Sequence, residues 1–362
     1  MNNSQSLNFI IGITALLVCV ASTFISGRSQ KFRHLRWPLV ALSLLFLYNL
    51  IFKPTFFALE ITDDGYLYGS LIDILNHSSK IALLATGMTL VIATGGVDIS
   101  VGSIMAISGA VAATVIVSPY SSLILAVFLA LLVSTLAGLW NGILVAACGI
   151  QPMVATLVLM VAGRGIAQLI TDGTIITFHH PAFNAIGNGH LLGLPVPAWL
   201  AATIFLIALA LTRTTSLGLF IETVGNNRTA ARYAGIAARK IVWITYVFSG
   251  FCAGIAGLVV CSNIKCADAN HAGLYLELDA ILATVIGGTS MTGGRFYLSG
   301  SILGAILIQA LSTVMYANDV NPAVIAVPKA ILVIAVCLLQ SDRFRSRIMA
   351  LPVFRKFGGE PC

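Results

Sequence analysis

Apolar residues run through this chain in long, nearly unbroken blocks that do not alternate, with short polar stretches between them. A membrane-crossing α-helix needs about 20 consecutive, mostly apolar residues. Blocks near 8–26, 38–53, 81–95, 101–118, 123–147, 152–171, 195–212, 241–263, 278–289, 297–316 and 323–340 answer to that description. The pattern predicts an all-α protein, a polytopic transmembrane helical bundle of about 10–11 spans. It excludes a membrane β-barrel, whose strands would show short segments of alternating hydrophobicity. The blocks at 81–95 and 278–289 are short and end in Gly pairs, Gly95-Gly96 and Gly287-Gly288. Six residues beyond each pair comes another glycine, Gly102 and Gly294. Paired Gly-broken hydrophobic segments are the mark of an internal repeat around a transport pathway, so an inverted repeat with Gly-broken short helices is expected. GxxxG spacing occurs at Gly138–Gly142, Gly250–Gly254 and Gly300–Gly304. It predicts close helix packing and no particular activity.

Composition narrows the class. The 362 residues are 58% hydrophobic and 9% charged, with a mean hydropathy of +0.97. A soluble domain carries about 25% charged residues. A cytosolic enzyme, a disordered chain and a secreted disulfide scaffold are therefore excluded. The seven cysteines form no CxxC pair. In apolar runs they read as small hydrophobes, with no disulfide and no metal site.

The charges fix the orientation. Net charge is +7, and fourteen of the 20 Lys+Arg fall in three stretches: 27–38, 213–240 and the tail beyond 342. Basic loops face the cytoplasm. The stretches 54–80, 172–195 and 317–322 then face outward. An even number of spans separates each basic stretch from the next, as a common side requires. No soluble basic face remains for nucleic acid. Residues 1–30 read as an extra N-terminal apolar segment, expected to form a transmembrane helix with its N-terminus outside. Lacking a basic leading region, it does not read as a cleaved signal peptide. Residues 31–342 form the main transmembrane domain, and 343–362 a basic cytoplasmic tail.

Few residues could carry chemistry. The segment Ala93-Thr94-Gly95-Gly96-Val97-Asp98-Ile99-Ser100-Val101-Gly102 interrupts apolar sequence. An ionisable group at membrane depth points to a pathway role, so Thr94, Asp98 and Ser100 are candidate pathway residues. Capping of the next helix by Asp98 and Ser100 is the alternative reading, and the two are compatible. Glu277 and Asp279 lie two apart and do not share a helix face, a poor spacing for an acid/base pair. They read as carboxylates in a first helical turn or as the mouth of a pathway. Thr289 and Ser290 follow the second Gly pair as further pathway candidates. Gly288 to Arg295 begins like a P-loop, but Gly294-Arg295 stands where Lys-Ser/Thr is required. No complete P-loop occurs in the chain, so any ATP that drives this protein binds elsewhere. In 213–240, Asn226 or Asn227 can cap a short helix through Arg232 that Gly235 ends. This stretch reads as a docking helix for a partner or as a solvated loop holding the topology charges. His179-His180 lacks a third ligand and does not suggest metal. Arg164, between Gly163 and Gly165, can snorkel or pair across helices.

At these residues the sequence resembles a known family. Gly87 to Gly102, Val224-Gly225-Asn226-Asn227, Ala231 to Ile236, Glu277-Leu278-Asp279-Ala280 and Gly287 to Gly294 match, in order, the permease subunits of ribose-type sugar ABC importers. The likeness runs from about residue 31 to the tail. Trp140 to Val145, Val161 to Gly165 and Ala267 to Asn270 bring it nearest to the galactofuranose permeases of that family. Residues 1–26 and Pro328 depart from the pattern. The resemblance implies a multi-pass protein of the bacterial inner membrane, with no cofactor of its own. It implies three partners: a cytoplasmic ATPase with two nucleotide sites, a periplasmic sugar-binding protein, and a second permease, identical or related. It makes 217–236 the ATPase coupling segment, with Glu222, Gly225, Asn226, Arg228, Arg232 and Gly235 as its candidate residues. A secondary transporter coupled to ions is the rival reading, but it would need midplane ionisable groups, of which Asp98 alone qualifies. No nucleophile–base arrangement suggests an enzyme.

Overall fold

The computed structural model describes residues 12–15, 19–20, 22–23, 35–61, 66–119 and 122–340. Most of the expected leading span at 8–26, the basic residues Arg28, Lys31 and Arg33, and the tail 343–362 lie outside them. The protein is a polytopic helical membrane protein. Its helices are α1 (Arg36–Phe52), α2 (Ser70–Ala93), α3 (Val101–Val117), α4 (Leu123–Ala146), α5 (Pro152–Ile170), α6 (Pro181–Asn188) and α7 (Val196–Thr214), followed by α8 (Leu217–Asn226), α9 (Arg228–Tyr233), α10 (Ala238–Ile264), α11 (Leu276–Ile286), α12 (Leu298–Ala317) and α13 (Ala326–Gln340). Among the described residues α4, α5, α7, α10 and α12 are each long and apolar enough to cross a membrane. The chain divides into two compact units, 58–309 and 1–57 with 310–362.

In the larger unit α10 is the axis. It is buried along most of its length, whereas only about a quarter of α4, α5 and α7 is buried. Small residues let its neighbours approach at backbone distance. A Cβ on Gly250 would stand 2.5 Å from Ser134 O and 2.9 Å from Gly138 Cα. The GxxxG of α4 thus faces that of α10. Gly87 of α2 meets Ser249 Cα at 2.9 Å on the same test, and Gly257 rests on the Met105 backbone of α3. Where no hydrophobic force separates helix from lipid, such contacts and the hydrogen bonds between them hold the bundle. Ser108 Oγ donates to Gly254 O at 2.8 Å.

Local chemistry sets the helix starts. Pro152 and Pro181 occupy first-turn positions, where a missing N–H costs nothing. His180 Nδ1 accepts from Phe183 N at 3.2 Å and caps α6, which gives the His179-His180 pair a structural part. Away from the basic loops, β3 (Ile176–Thr177) pairs antiparallel with β6 (Cys266–Ala267). β1 (Glu60–Ile61) pairs with β2 (Leu67–Tyr68), and β4 (His190–Leu191) with β5 (Leu194–Pro195).

Two spans differ from their sequence reading. Helix α2 begins at Ser70 and not at 81, so 70–80 is helix and not an outer loop. Asp73, Asn76, His77 and Lys80 depress hydropathy there, but Ser78 and Ser79 donate to the carbonyls of Leu75 and Asn76, and Lys80 Nζ lies 3.1 Å from His77 Nδ1. Helix α11 has only 11 residues, too few to cross a bilayer. Both helices end at their Gly pairs. The N–H of Gly294 donates to Ala93 O at 3.0 Å, so the two breaks lie together.

In the smaller unit Phe57 meets Phe46 and Phe56 edge-on, with ring centroids 5.9 and 5.4 Å apart. Lys53 Nζ donates to Ala317 O at the end of α12, where a cation suits the helix dipole. Pro328 falls in the first turn of α13, where the ring is tolerated.

Candidate functional site

The first break folds around a carboxylate. Asp98 is fully buried. Its Oδ1 accepts from Ser100 N at 3.2 Å, Ser100 Oγ at 2.6 Å and Asn141 Nδ2 at 3.4 Å. Its Oδ2 accepts from Ser249 Oγ at 2.9 Å. Asn141 also donates to Ser100 Oγ at 2.8 Å, which closes the network. The α2–α3 connection is thereby tied to α4 through Asn141 and to α10 through Ser249. Backbone that leaves a helix inside a membrane must find partners in protein. Tyr246 helps supply them: its hydroxyl donates to Val97 O at 3.4 Å and its ring lies under Gly96. Thr94 is buried, with Oγ1 donating to Val91 O at 2.8 Å.

The second break packs onto the first, and α8 onto both. A Cβ on Gly225 would overlap Ala93 O and stand 2.6 Å from Gly294 N. A Cβ on Gly293 would lie 2.9 Å from both Gly225 O and Gly95 N. Arg228 Nη2 donates to Thr94 O at 3.3 Å. Thr289 is buried, and its Oγ1 accepts from Tyr297 N at 3.3 Å. Ser290 and Thr292 hydroxyls lie 2.8 Å apart. Beside them opens a polar cleft of about 550 Å³, lined by Glu222, Asn226, Ser290, Gly294 and Arg295 among others.

Asn227 caps α9, its Oδ1 accepting from Thr229 N and Ala230 N at 3.0 Å each. Gly235, at φ +81°, turns the chain after it. Arg232 is exposed, and Tyr233 is 90% exposed. Arg213, Arg239 and Lys240 are exposed too, so the 213–240 stretch presents a basic surface with an aromatic on it.

Glu277 and Asp279 sit in the first turn of α11. Glu277 is buried, and its Oε2 has no hydrogen-bond partner. It occupies the space over Gly102, where a Cβ would collide with it. The glycine of one motif is thus the seat of the carboxylate of another. Asp279 is half-buried. Arg164 spans from α5 to the loop before α11, its Nη1 donating to Ala269 O at 3.1 Å and Ala272 O at 2.6 Å. In that loop burial opposes the Asp268 charge. Bonds from the His271 ring and from the Asn270 and His271 N–H groups outweigh it and hold the carboxyl below its usual range.

The structure thus brings Thr94, Gly225, Asn226, Arg228 and Ser290 to one face. It sets Asp98 and Ser100 in a closed network and Glu277 in a separate contact with Gly102. Sequence reasoning missed Asn141, Ser249 and Tyr246. Their only signal was a polar group inside an apolar run, in Trp140-Asn141-Gly142 and in Ser249-Gly250.

Comparison with known proteins agrees with this architecture. Residues 70–336 match the family model described as branched-chain amino acid transport system / permease component. The galactofuranose transporter permease of Escherichia coli K12 is 52% identical over 87% of this chain and 94% of its own length. The fructose import permease of Bifidobacterium longum is 40% identical over 86% and 89%, and the ribose import permease of Haemophilus influenzae 37% over 77% and 87%. No solved structure matches. With the family model covering most of the chain and these relatives nearly their full lengths, the protein belongs to this family of transport permease components, and it is a multi-pass membrane permease and not an enzyme.

Proposed function

We propose that this chain is the membrane-spanning subunit of an ATP-driven monosaccharide importer in the bacterial inner membrane, and that its sugar is galactofuranose-like. One observation carries the sugar: the 52% identity that extends over 94% of the galactofuranose permease. The other named relatives import sugars as well, although the family description speaks of amino acids. A periplasmic binding protein delivers the sugar, a second permease completes the pathway, and a cytoplasmic ATPase supplies the work. The lack of a complete P-loop in this sequence supports the last division of labour.

Within the chain, the Gly-broken segments shape the pathway. Asp98 and Ser100 hold the first in place, Thr94, Thr289 and Ser290 line its inner end, and Glu277 and Asp279 stand at the start of the short helix that faces it. The segment 217–236 seats in the ATPase, with Arg228, Arg232 and Tyr233 as contacts and Glu222, Gly225, Asn226 and Gly235 shaping the surface. Exposed Arg and an aromatic are the residues that most often carry interfaces.

Purification of the assembled importer with its binding protein, loaded in turn with galactofuranose, ribose and fructose, tests the sugar. Retention and uptake of galactofuranose above the others is expected, and preference for ribose or fructose overturns the assignment. For the seat, Arg232→Glu combined with Arg228→Glu reverses two charges at a contact rim, worth about 1 kcal/mol each. The affinity for the ATPase should fall by about thirtyfold, and its co-purification with it. An undiminished yield of ATPase counts against 217–236 as its seat.

A further inference from the structure

Three stretches of backbone that are far apart in sequence meet at the basic 213–240 stretch with no side chain between them. The end of α2 offers Ala93 O. The loop after α11 donates Gly294 N–H to it at 3.0 Å. The last turn of α8 lies against both, so closely that a Cβ at Gly225 would overlap Ala93 O. Gly293 repeats the contact from the other side, with Gly225 O and Gly95 N each 2.9 Å from where its Cβ would be. Arg228 adds a bond to Thr94 O at 3.3 Å. Gly95, Gly293 and Gly294 have φ of +79°, +85° and +88°, a region closed to other residues without strain.

Contacts between long side chains absorb displacement by changing rotamer. Backbone in van der Waals contact, pinned by a main-chain hydrogen bond, does not, because packed interiors are stiff and transmit strain. We infer that α8 and the two Gly breaks move as one block, so that a push on α8 reaches both broken helices at once, and that Gly293 is the positioning residue that keeps them in register. This rests on the reading of 217–236 as the ATPase seat, which says where the push comes from. The block itself is a property of these three segments.

Two measurements on the complete importer in liposomes test it. In the first, Gly293→Ala wedges a methyl group between Gly225 and Gly95. Sugar imported per ATP hydrolysed should fall by about tenfold, with the ATPase still co-purifying. An unchanged ratio overturns the proposal, since a merely structural defect would lower import and hydrolysis together. In the second, Asn226→Cys with Gly294→Cys joins α8 to the second break. The Asn226 Cβ lies 3.3 Å from the ideal Gly294 Cβ, near the separation of about 3.8 Å in disulfides. The oxidised variant, its bond verified by mass spectrometry, should import sugar at the rate of its own reduced form. Import that stops on oxidation and returns with reductant means the segments slide past each other, and it overturns the proposal even if Gly293→Ala fails to assemble. Failure of the seat reading shows differently, as ATPase binding indifferent to charge reversal at Arg228 and Arg232.

Discussion

Asp98 illustrates what a single side chain settles in this protein. A buried carboxylate is costly unless its lone pairs are satisfied, and here two serines, an amide and a backbone N–H satisfy them. Its replacement by Asn is mild by design of the site. The amide nitrogen can face Ser249, whose hydroxyl turns to accept, and the oxygen keeps the Ser100 and Asn141 bonds. Charge-assisted bonds become neutral ones, for a loss of about 1–2 kcal/mol. Asp98→Leu strands every partner and should cost more than about 3 kcal/mol. Thermal unfolding in detergent should rank wild type above Asn above Leu. In transport, Asp98→Asn should lower uptake with the importer still assembled. Uptake at the wild-type rate would leave Asp98 a structural role alone. The sequence marked Asp98 as costly, but it could not name Asn141 or Ser249, which lie 43 and 151 residues away.

At the scale of elements, glycine placement decides which helices touch. The GxxxG pairs in α4 and α10 were legible as packing motifs, but a motif does not name its partner. Gly250→Ala would set a methyl group 2.5 Å from Ser134 O, against backbone that cannot turn away, and should destabilise the bundle by about 1–3 kcal/mol. Gly165→Ala is the matched control. Nothing lies within 4 Å of its Cβ position, so the change should be neutral or stabilising by about 0.4–1 kcal/mol through the unfolded chain. Equal effects of the two on the unfolding temperature would contradict the assigned α4–α10 contact. The lengths of α2 and α11 were less legible. Hydropathy counts Asp73, Asn76, His77 and Lys80 against a membrane span, while the structure carries the helix through them, with Lys80 Nζ beside His77 Nδ1. The short α11 was signalled by Gly287-Gly288, which break it before it could cross a membrane.

Across the whole molecule, charge and architecture make a joint prediction. Tyr233, 90% exposed, lies on the basic surface, and Leu192, 84% exposed, lies at the other end of α7. The 19 residues of α7 span about 28 Å at 1.5 Å per residue, close to the thickness of a bilayer core. Tyr233→Cys should react with a membrane-impermeant maleimide in inside-out vesicles only, and Leu192→Cys in right-side-out vesicles only. Labelling from the opposite sides would reverse the topology. The orientation under test is an expectation from the sequence, and it rests on the bilayer sorting apolar runs from basic loops whatever their partners are. For the same reason the sequence alone determined the fold class and the membrane setting. Only the tertiary structure decided that the two Gly breaks lie side by side under α8, that Glu277 rests on Gly102, and that Asp98 is held by α4 and α10. Those are contacts between segments remote in sequence, fixed by close packing and, at the first break, by the need of its backbone and of Asp98 for partners inside the protein.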